Sequence, residues 1–244
     1  MSAVVRLYRE PVEGHTYGIG GDPGFGYSDS DDTVVNVMCA DTGEQCLVLQ
    51  GKLDGYELGE ELQMIGTWYN LALIGVENNK DQTANNVLFR NGYKNIYFER
   101  PETGKAYRSI SEKLGWNTNL RTRPLMVAQG RQMLTDGSVT IYDKEMLHQW
   151  EHFVLDKGKF QGLRGAHDDL VMAGLISFEM MKIAMEGVMG KQNMLRPLHN
   201  GVEVFDELDI GEVEDRPRSE RLGSAVMSRE METVDTSTTM GSLL

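Results

Sequence analysis

Leu71 to Val76 reads LALIGV, a continuous apolar run that stops at Glu77. A run this short, with no polar alternation, fits a strand buried on both faces, and such strands sit at the centre of sheets covered by helices on each side. A carboxylate at the end of such a strand is partly withdrawn from water, so it needs a chemical reason. Upstream, Leu58, Leu62, Ile65 and Tyr69 recur at helical steps between Asp54 and Asn70, and Asp54 with Glu57 forms a capping-box start.

The other segments extend the pattern. His15 to Gly21 is β-prone and ends at Asp22. Thr33 to Ala40 (TVVNVMCA) and Gln45 to Gln50 (QCLVLQ) read as a hairpin across the Asp41–Gly43 turn. Asp81 to Arg90 reads as a helix stopped near Asn91 and Gly92, and Asn95 to Phe98 as a short strand. Thr122 is expected to cap a helix with Pro124 in its first turn, running to about Leu134. The VTIYD segment after Asp136–Gly137 reads as an edge strand, Lys144 to Phe153 as a helix, and Val154 to Leu163 as a small hairpin. A last helix opens at His167-Asp168-Asp169 and is apolar on most faces. The expected fold is α/β, with a mixed central sheet flanked by helices and a small β-hairpin insertion. Its expected limits are residues 15–190, preceded by an N-terminal extension (1–14) and followed by an acidic, largely disordered tail (191–244).

Composition limits the function classes. The chain has 244 residues, 40% of them hydrophobic, enough for a sizeable core. No apolar run is long enough to span a membrane, and no signal peptide is evident at the N-terminus. The formal net charge of −13 argues against a simple nucleic-acid coat. The positive charge is concentrated, however, between Arg90 and Arg131, where Lys105, Arg108, Lys113, Arg121 and Arg123 are candidates for phosphate contacts. No recognition helix with base-reading side chains is apparent, so any DNA binding is expected to be sequence-tolerant. Cys39 and Cys46 flank the hairpin turn and read as reduced thiols; no histidine stands at ligand spacing near them, so no zinc site is expected.

Three acidic positions begin or end elements: Asp22, Glu77 and the Asp168–Asp169 pair. Ligands in open α/β sheets collect at strand ends, so these can converge. Clustered carboxylates repel one another unless divalent cations neutralise them, and hard oxygen ligands suit two Mg²⁺ or Mn²⁺ ions. Two such ions roughly 4 Å apart support in-line phosphodiester hydrolysis. Asp22 is then the natural bridging ligand, and Glu77 with Asp168 or Asp169 completes the set. Gly20, Gly21 and Gly24 would let the backbone crowd close to a bound phosphate. Asp29, Asp31 and Asp32 read as a polar turn from which one residue can add a water-mediated contact. His167 and Asn78 are candidates for supporting positions around the acids, and Trp116 reads as a loop anchor.

The stretches GIGGDPGFG with Asp22, VENN with Glu77, GWNTNLRTRP from Gly115 to Pro124, and GAHDDLVMA from Gly165 to Ala173 resemble, in order and spacing, the C-terminal nuclease domain of the tailed-bacteriophage terminase large subunit. The resemblance covers roughly residues 15 to 185. It implies a ribonuclease H-like fold and a metal-dependent endonuclease that cuts concatemeric viral double-stranded DNA during genome packaging. It also implies that the carboxylates at Asp22, Glu77 and Asp168–Asp169 hold the metals. The implied partners are a packaging ATPase domain or subunit and the portal, and the implied location is the cytoplasm of an infected bacterial host. The family's ATPase carries a GxxxxGK[ST] loop, which this chain lacks, so it reads as a separate nuclease subunit or a fragment.

Two other readings remain at this stage. GDPGFG can serve as the phosphate-facing hairpin of an actin- or sugar-kinase-like nucleotide-binding protein. Asp29, Asp31 and Asp32 can form part of a calcium loop in a non-enzymatic cation-binding interaction module, although no glutamate closes the loop.

Overall fold

The structure is a computed structural model, and it describes residues 3–27, 31–79, 81–99, 114–156, 158–163, 167–190 and 231–233. Its main sheet is built from β1 (Val4–Leu7), β2 (Tyr17–Asp22), β3 (Thr33–Cys39), β4 (Gln45–Gly51), β5 (Leu73–Val76) and β8 (Met231–Thr233), in the order β5-β2-β3-β4-β1-β8. β2, β3, β4 and β1 pair antiparallel in turn, whereas β5 lies parallel to β2 and β8 parallel to β1. A separate hairpin is formed by β6 (Phe153–Asp156) and β7 (Lys159–Gly162). The helices are α1 (Gly55–Trp68), α2 (Thr83–Arg90), α3 (Thr122–Thr135), α4 (Lys144–Glu151) and α5 (Asp169–Gly190). None among the described residues is long and apolar enough to cross a membrane.

Strand alternation divides the core into two layers. Val35 and Val37 point into a cluster with Leu58, Leu62 and Ile65 of α1, while Val34 and Met38 point into one with Val171, Ile176 and Phe178 of α5. β3 is buried along its whole length, as a strand sandwiched between helical layers must be. At the start of α1 the capping box is complete. Asp54 Oδ1 accepts the amides of Tyr56 and Glu57 at 2.9 Å, and Glu57 Oε2 accepts the Asp54 amide at 3.0 Å.

Between the sheet and α5, a buried polar chain fixes the helix. Gln45 Nε2 donates to Asn36 Oδ1 at 2.7 Å, Asn36 Nδ2 to Ser177 Oγ at 2.7 Å, and Ser177 to the Gly174 carbonyl at 2.6 Å. Each member would cost about 1–3 kcal/mol if left unpaired, so the chain holds α5 to one position along β3.

Several expectations change. Residues 4–7, assigned to an extension, form β1: Val5 and Leu7 enter the core and Arg6 Nε pairs with buried Asp143 at 2.6 Å. Thr122 does not cap α3; Asn119 Oδ1 accepts the amides of Arg121 and Thr122 at 2.8 and 3.0 Å, while the Thr122 hydroxyl donates to the Asn117 carbonyl. VTIYD makes a single parallel bridge, Thr140 to Glu44, and Asn95 to Phe98 makes isolated bridges beside β5 through Ile96 and beside Leu114 through Phe98. Of the expected tail, only Met231–Thr233 is described.

Candidate active site

Three glycines set the geometry. A Cβ on Gly18 would lie 2.2 Å from the Met181 amide nitrogen, one on Gly20 2.1 Å from the Ala173 carbonyl oxygen, and one on Gly75 2.5 Å from the Met180 sulfur. α5 therefore lies directly on β2 and β5, where only glycine leaves it room. Moving from Gly18 to Gly20 carries the contact toward the N-terminus of α5. The next residue on that face of β2 is Asp22, because side chains alternate along a strand, and α5 begins at Asp169. Gly75 fixes the face of β5 in the same way, and the next residue on it is Glu77. The Gly21↔Val76 register and the Glu77 amide, which donates to the Gly21 carbonyl at 2.9 Å, make Asp22 and Glu77 neighbours at the carboxyl ends of parallel strands.

Asp22, Glu77, Asp168 and Asp169 thus line one cleft of about 640 Å³, with Asp31 and Asn79 beside them. The opposite rim carries Arg123 and the β6–β7 hairpin. The first turn of α5 is fixed from outside, since Gln149 Oε1 of α4 accepts the Leu170 amide at 2.9 Å. Glu77 is buried, and Asn79 Nδ2 reaches its Oε1 at 3.4 Å. Burial first, then the charges of Asp31 and Asp168, push the Asp169 carboxyl up to about 6. His167 opposes this rise without cancelling it.

The tightest group around Asp169 differs from the expected one. Ligand atoms of Asp31, His167 and Asp169 lie within 4.8 Å of one another, and His167 Nδ1 is 3.7 Å from Asp169 Oδ2. Asp22 and Glu77 line the same cleft without belonging to that trio. His167, expected only in support, therefore stands at the acids, and Asp31 joins them from the loop after β2. Asp32 turns away: against burial, which raises it, Lys52 at 2.7 Å and Gln50 at 3.0 Å hold its carboxyl below the ordinary range. Asp31 joins the group around Asp169 while Asp32 is taken up by Lys52 and Gln50; Asp29 lies outside the described residues.

Other expectations are corrected. Asn78 Nδ2 donates to the Leu114 carbonyl at 2.9 Å, so it ties down the neighbouring segment, and Asn79 is the asparagine at Glu77. Two residues on from Glu77, Asn79 falls on the same face, a signal the VENN sequence contained. Gly20 serves the packing of α5, Gly21 faces Val76 and Leu62, and Gly24 packs on the backbone of Asp31 and Thr33, so none is reserved for a phosphate. Trp116 packs tilted against Tyr97, with centroids 5.3 Å apart, and donates Nε1 to Met126 Sδ at 3.1 Å, as a loop anchor does.

Of the basic candidates, Lys105, Arg108 and Lys113 lie outside the described residues. Arg121 is exposed at the start of α3. Arg123 is mostly buried and donates Nη1 to the Phe160 carbonyl at 2.6 Å, with Asp168 Oδ2 3.8 Å away. It braces the hairpin against the acids rather than facing outward.

No protein-family model and no curated protein matches the sequence. Solved structures do match. The large terminase nuclease from thermophilic phage G20c superposes with a TM-score of 0.54 at 16% identity, covering 71% of this chain and 86% of that one. Its magnesium-bound form gives 0.52 at 17% identity, covering 71% and 85%. The Thermus phage P74-26 large terminase nuclease domain gives 0.51 at 17% identity, covering 72% and 90%. The G20c domain has also been solved with bound cobalt and with bound zinc. At these identities the likeness is one of fold, and this chain has the ribonuclease H-like fold of the large terminase nucleases.

Proposed function

We propose that the protein is a divalent-metal-dependent DNA endonuclease of the large terminase type. The observation that carries this reading is the convergence of Asp22, Glu77 and Asp169 on one cleft at the carboxyl ends of β2 and β5, with Asp168 and Asp31 beside them. The residues fit two Mg²⁺ or Mn²⁺ ions: the donors are hard oxygens, and Asp169 is a buried carboxyl with Asp31 and Asp168 beside it, which a cation would stabilise in its charged form. Asp22, Glu77 and Asp169 would be the residues that hold the ions. Such a pair would supply a nucleophilic hydroxide at neutral pH and charge neutralisation at the scissile phosphate.

The chain's own groups supply the rest. Asn79 holds the Glu77 carboxylate in place, Gln149 holds the α5 first turn, and Arg123 spaces Asp168 from the hairpin rim. His167 beside Asp169 can accept a proton from an attacking water or orient the carboxylate. Arg121, with Lys105, Arg108 and Lys113, is assigned to DNA phosphates. The magnesium-, cobalt- and zinc-bound forms of the G20c nuclease support a divalent-metal requirement. On the resemblance of the sequence motifs, the proposed substrate is concatemeric viral double-stranded DNA, the proposed partners are a packaging ATPase and the portal, and the proposed place of action is the cytoplasm of the infected host.

The test is nicking of supercoiled plasmid. The expected result is cleavage with Mg²⁺ or Mn²⁺, none with EDTA, and a loss of about 100-fold or more in Asp22→Asn, the equivalent of about 2.7 kcal/mol at the transition state. Equal cleavage by parent and Asp22→Asn would overturn the reading.

A further inference from the structure

A second constellation lies at the other end of β2. Ligand atoms of His15, Cys39 and Asp41 fall within 4.8 Å of one another, and Cys39 Sγ is 3.4 Å from His15 Nδ1. His15 precedes β2, Cys39 ends β3, and Asp41 lies in the β3–β4 turn, so antiparallel pairing rather than spacing in sequence brings them together. From His15 to Asp22 the chain runs roughly 23 Å along the strand, which separates this group from the acidic cleft.

We propose that His15, Cys39 and Asp41 form a binding site for a zinc-type divalent cation. The donor set decides the ion class. A thiolate, an imidazole and one carboxylate are the mixture that borderline-soft Zn²⁺ takes, whereas the oxygen-only cleft at Asp22 suits Mg²⁺ or Mn²⁺. The spacing fits as well: a tetrahedral ion with bonds of about 2.3 Å to sulfur and 2.0 Å to nitrogen separates those two ligands by about 3.5 Å. The ligands are held before any ion arrives. Asp41 Oδ2 accepts the Thr16 amide at 2.7 Å, the Cys39 amide donates to the Glu44 carbonyl at 2.9 Å, and Asn70 Nδ2 donates to the His15 carbonyl at 3.0 Å.

Cys39 is buried while Asp41 is exposed and His15 half-buried, so the site opens to solvent on one side and leaves a fourth position for water. Binding releases the Cys39 thiol proton to solvent and leaves the thiolate as ligand. The ion ties the segment before β2 to the β3–β4 turn and thereby stiffens the end of the sheet away from the acids. Cys46 takes no part: it lies outside the trio, and its thiol contacts the Glu44 carbonyl at 3.5 Å.

Cobalt titration of the full chain tests this, because only a sulfur-ligated ion gives a thiolate-to-cobalt charge-transfer band, which an all-oxygen site cannot produce. The expected result is a saturable band that Zn²⁺ displaces, that Cys39→Ser abolishes, and that Cys46→Ser and Asp22→Asn leave unchanged. His15→Ala, which spares the buried thiol, is expected to weaken cobalt binding at least tenfold and serves if Cys39→Ser fails to fold. Absence of the band in the parent, its persistence at full strength in His15→Ala, or its loss in Cys46→Ser or Asp22→Asn would overturn the proposal.

Discussion

The Gly21 carbonyl accepts the Glu77 amide at 2.9 Å, and this single bond sets Asp22 beside Glu77. It continues the parallel ladder of β2 and β5 by one step past the last strand pair. The two acids are consequences of register rather than of loop conformation. Glu77→Gln keeps the ladder and the side-chain volume while removing the charge. It is expected to lower metal-dependent nicking by about 100-fold, about 2.7 kcal/mol of lost transition-state stabilisation, with little change in melting temperature. Plasmid nicking and a thermal melt of the same sample check both halves.

Gly20 is expected to be intolerant for a steric reason. A Cβ there would lie 2.1 Å from the Ala173 carbonyl oxygen and 2.4 Å from the Ser177 amide nitrogen, and backbone cannot rotate away. Gly20→Ala must push α5 off β2, at a cost of about 3 kcal/mol. In a chain of this size that is a fall of roughly 6–12 °C in melting temperature. It also carries Asp169 away from Asp22, so Mn²⁺ affinity measured by calorimetry should drop with stability. Gly92→Ala is the contrast: nothing lies within reach of its Cβ, and only the positive φ of 73° opposes it, at about 1 kcal/mol.

Asp169 makes stability depend on pH in an unusual direction. Its folded carboxyl is raised to about 6 by burial and by Asp31 and Asp168. Between about pH 4 and pH 6 the folded chain therefore binds a proton that the unfolded chain has released. Metal-free stability is expected to fall as pH rises through this window, by on the order of 2–3 kcal/mol. Asp169→Asn should flatten the dependence, and saturating Mg²⁺ should recover stability above pH 6. Melts in EDTA across the range are the check.

Arg121 and Arg123 stand two residues apart and are expected to behave differently. Arg121 is exposed, so Arg121→Ala should weaken DNA binding evenly across sequences and reduce the salt slope by about 1. Arg123 donates to the Phe160 carbonyl at 2.6 Å and faces Asp168, so Arg123→Ala should destabilise the fold by about 1–3 kcal/mol and raise amide exchange in the β6–β7 hairpin. Filter binding at several salt concentrations, together with hydrogen exchange, separates the two.

The sequence revealed what short-range rules can see. LALIGV marked β5 because a strand buried on both faces has no polar alternation. The Asp54–Glu57 pair marked α1 because its capping bonds are local, and the unbroken apolar character of α5 marked a helix packed on most sides. Long-range partners were hidden. Residues 1–14 read as an extension, yet Arg6 of β1 pairs with Asp143, 137 residues away. His15 and Cys39 show no ligand spacing, yet β2 and β3 bring them to 3.4 Å. Gly20, Gly21 and Gly24 read as a phosphate cradle, yet Gly20 makes room for α5, Gly21 faces Val76 and Leu62, and Gly24 packs on the backbone of Asp31 and Thr33. Within the site, Asn78 read as the supporting residue, whereas Asn79 lies on the Glu77 face and reaches its carboxylate.

Diffraction at the manganese edge from crystals soaked in Mn²⁺ addresses the assigned site most directly. The expected result is anomalous density in the cleft, within coordination distance of Asp22, Glu77 and Asp169, and absent in Asp22→Asn. Density elsewhere, or an empty cleft in crystals of a preparation that nicks plasmid with Mn²⁺, would contradict the assignment of these carboxylates.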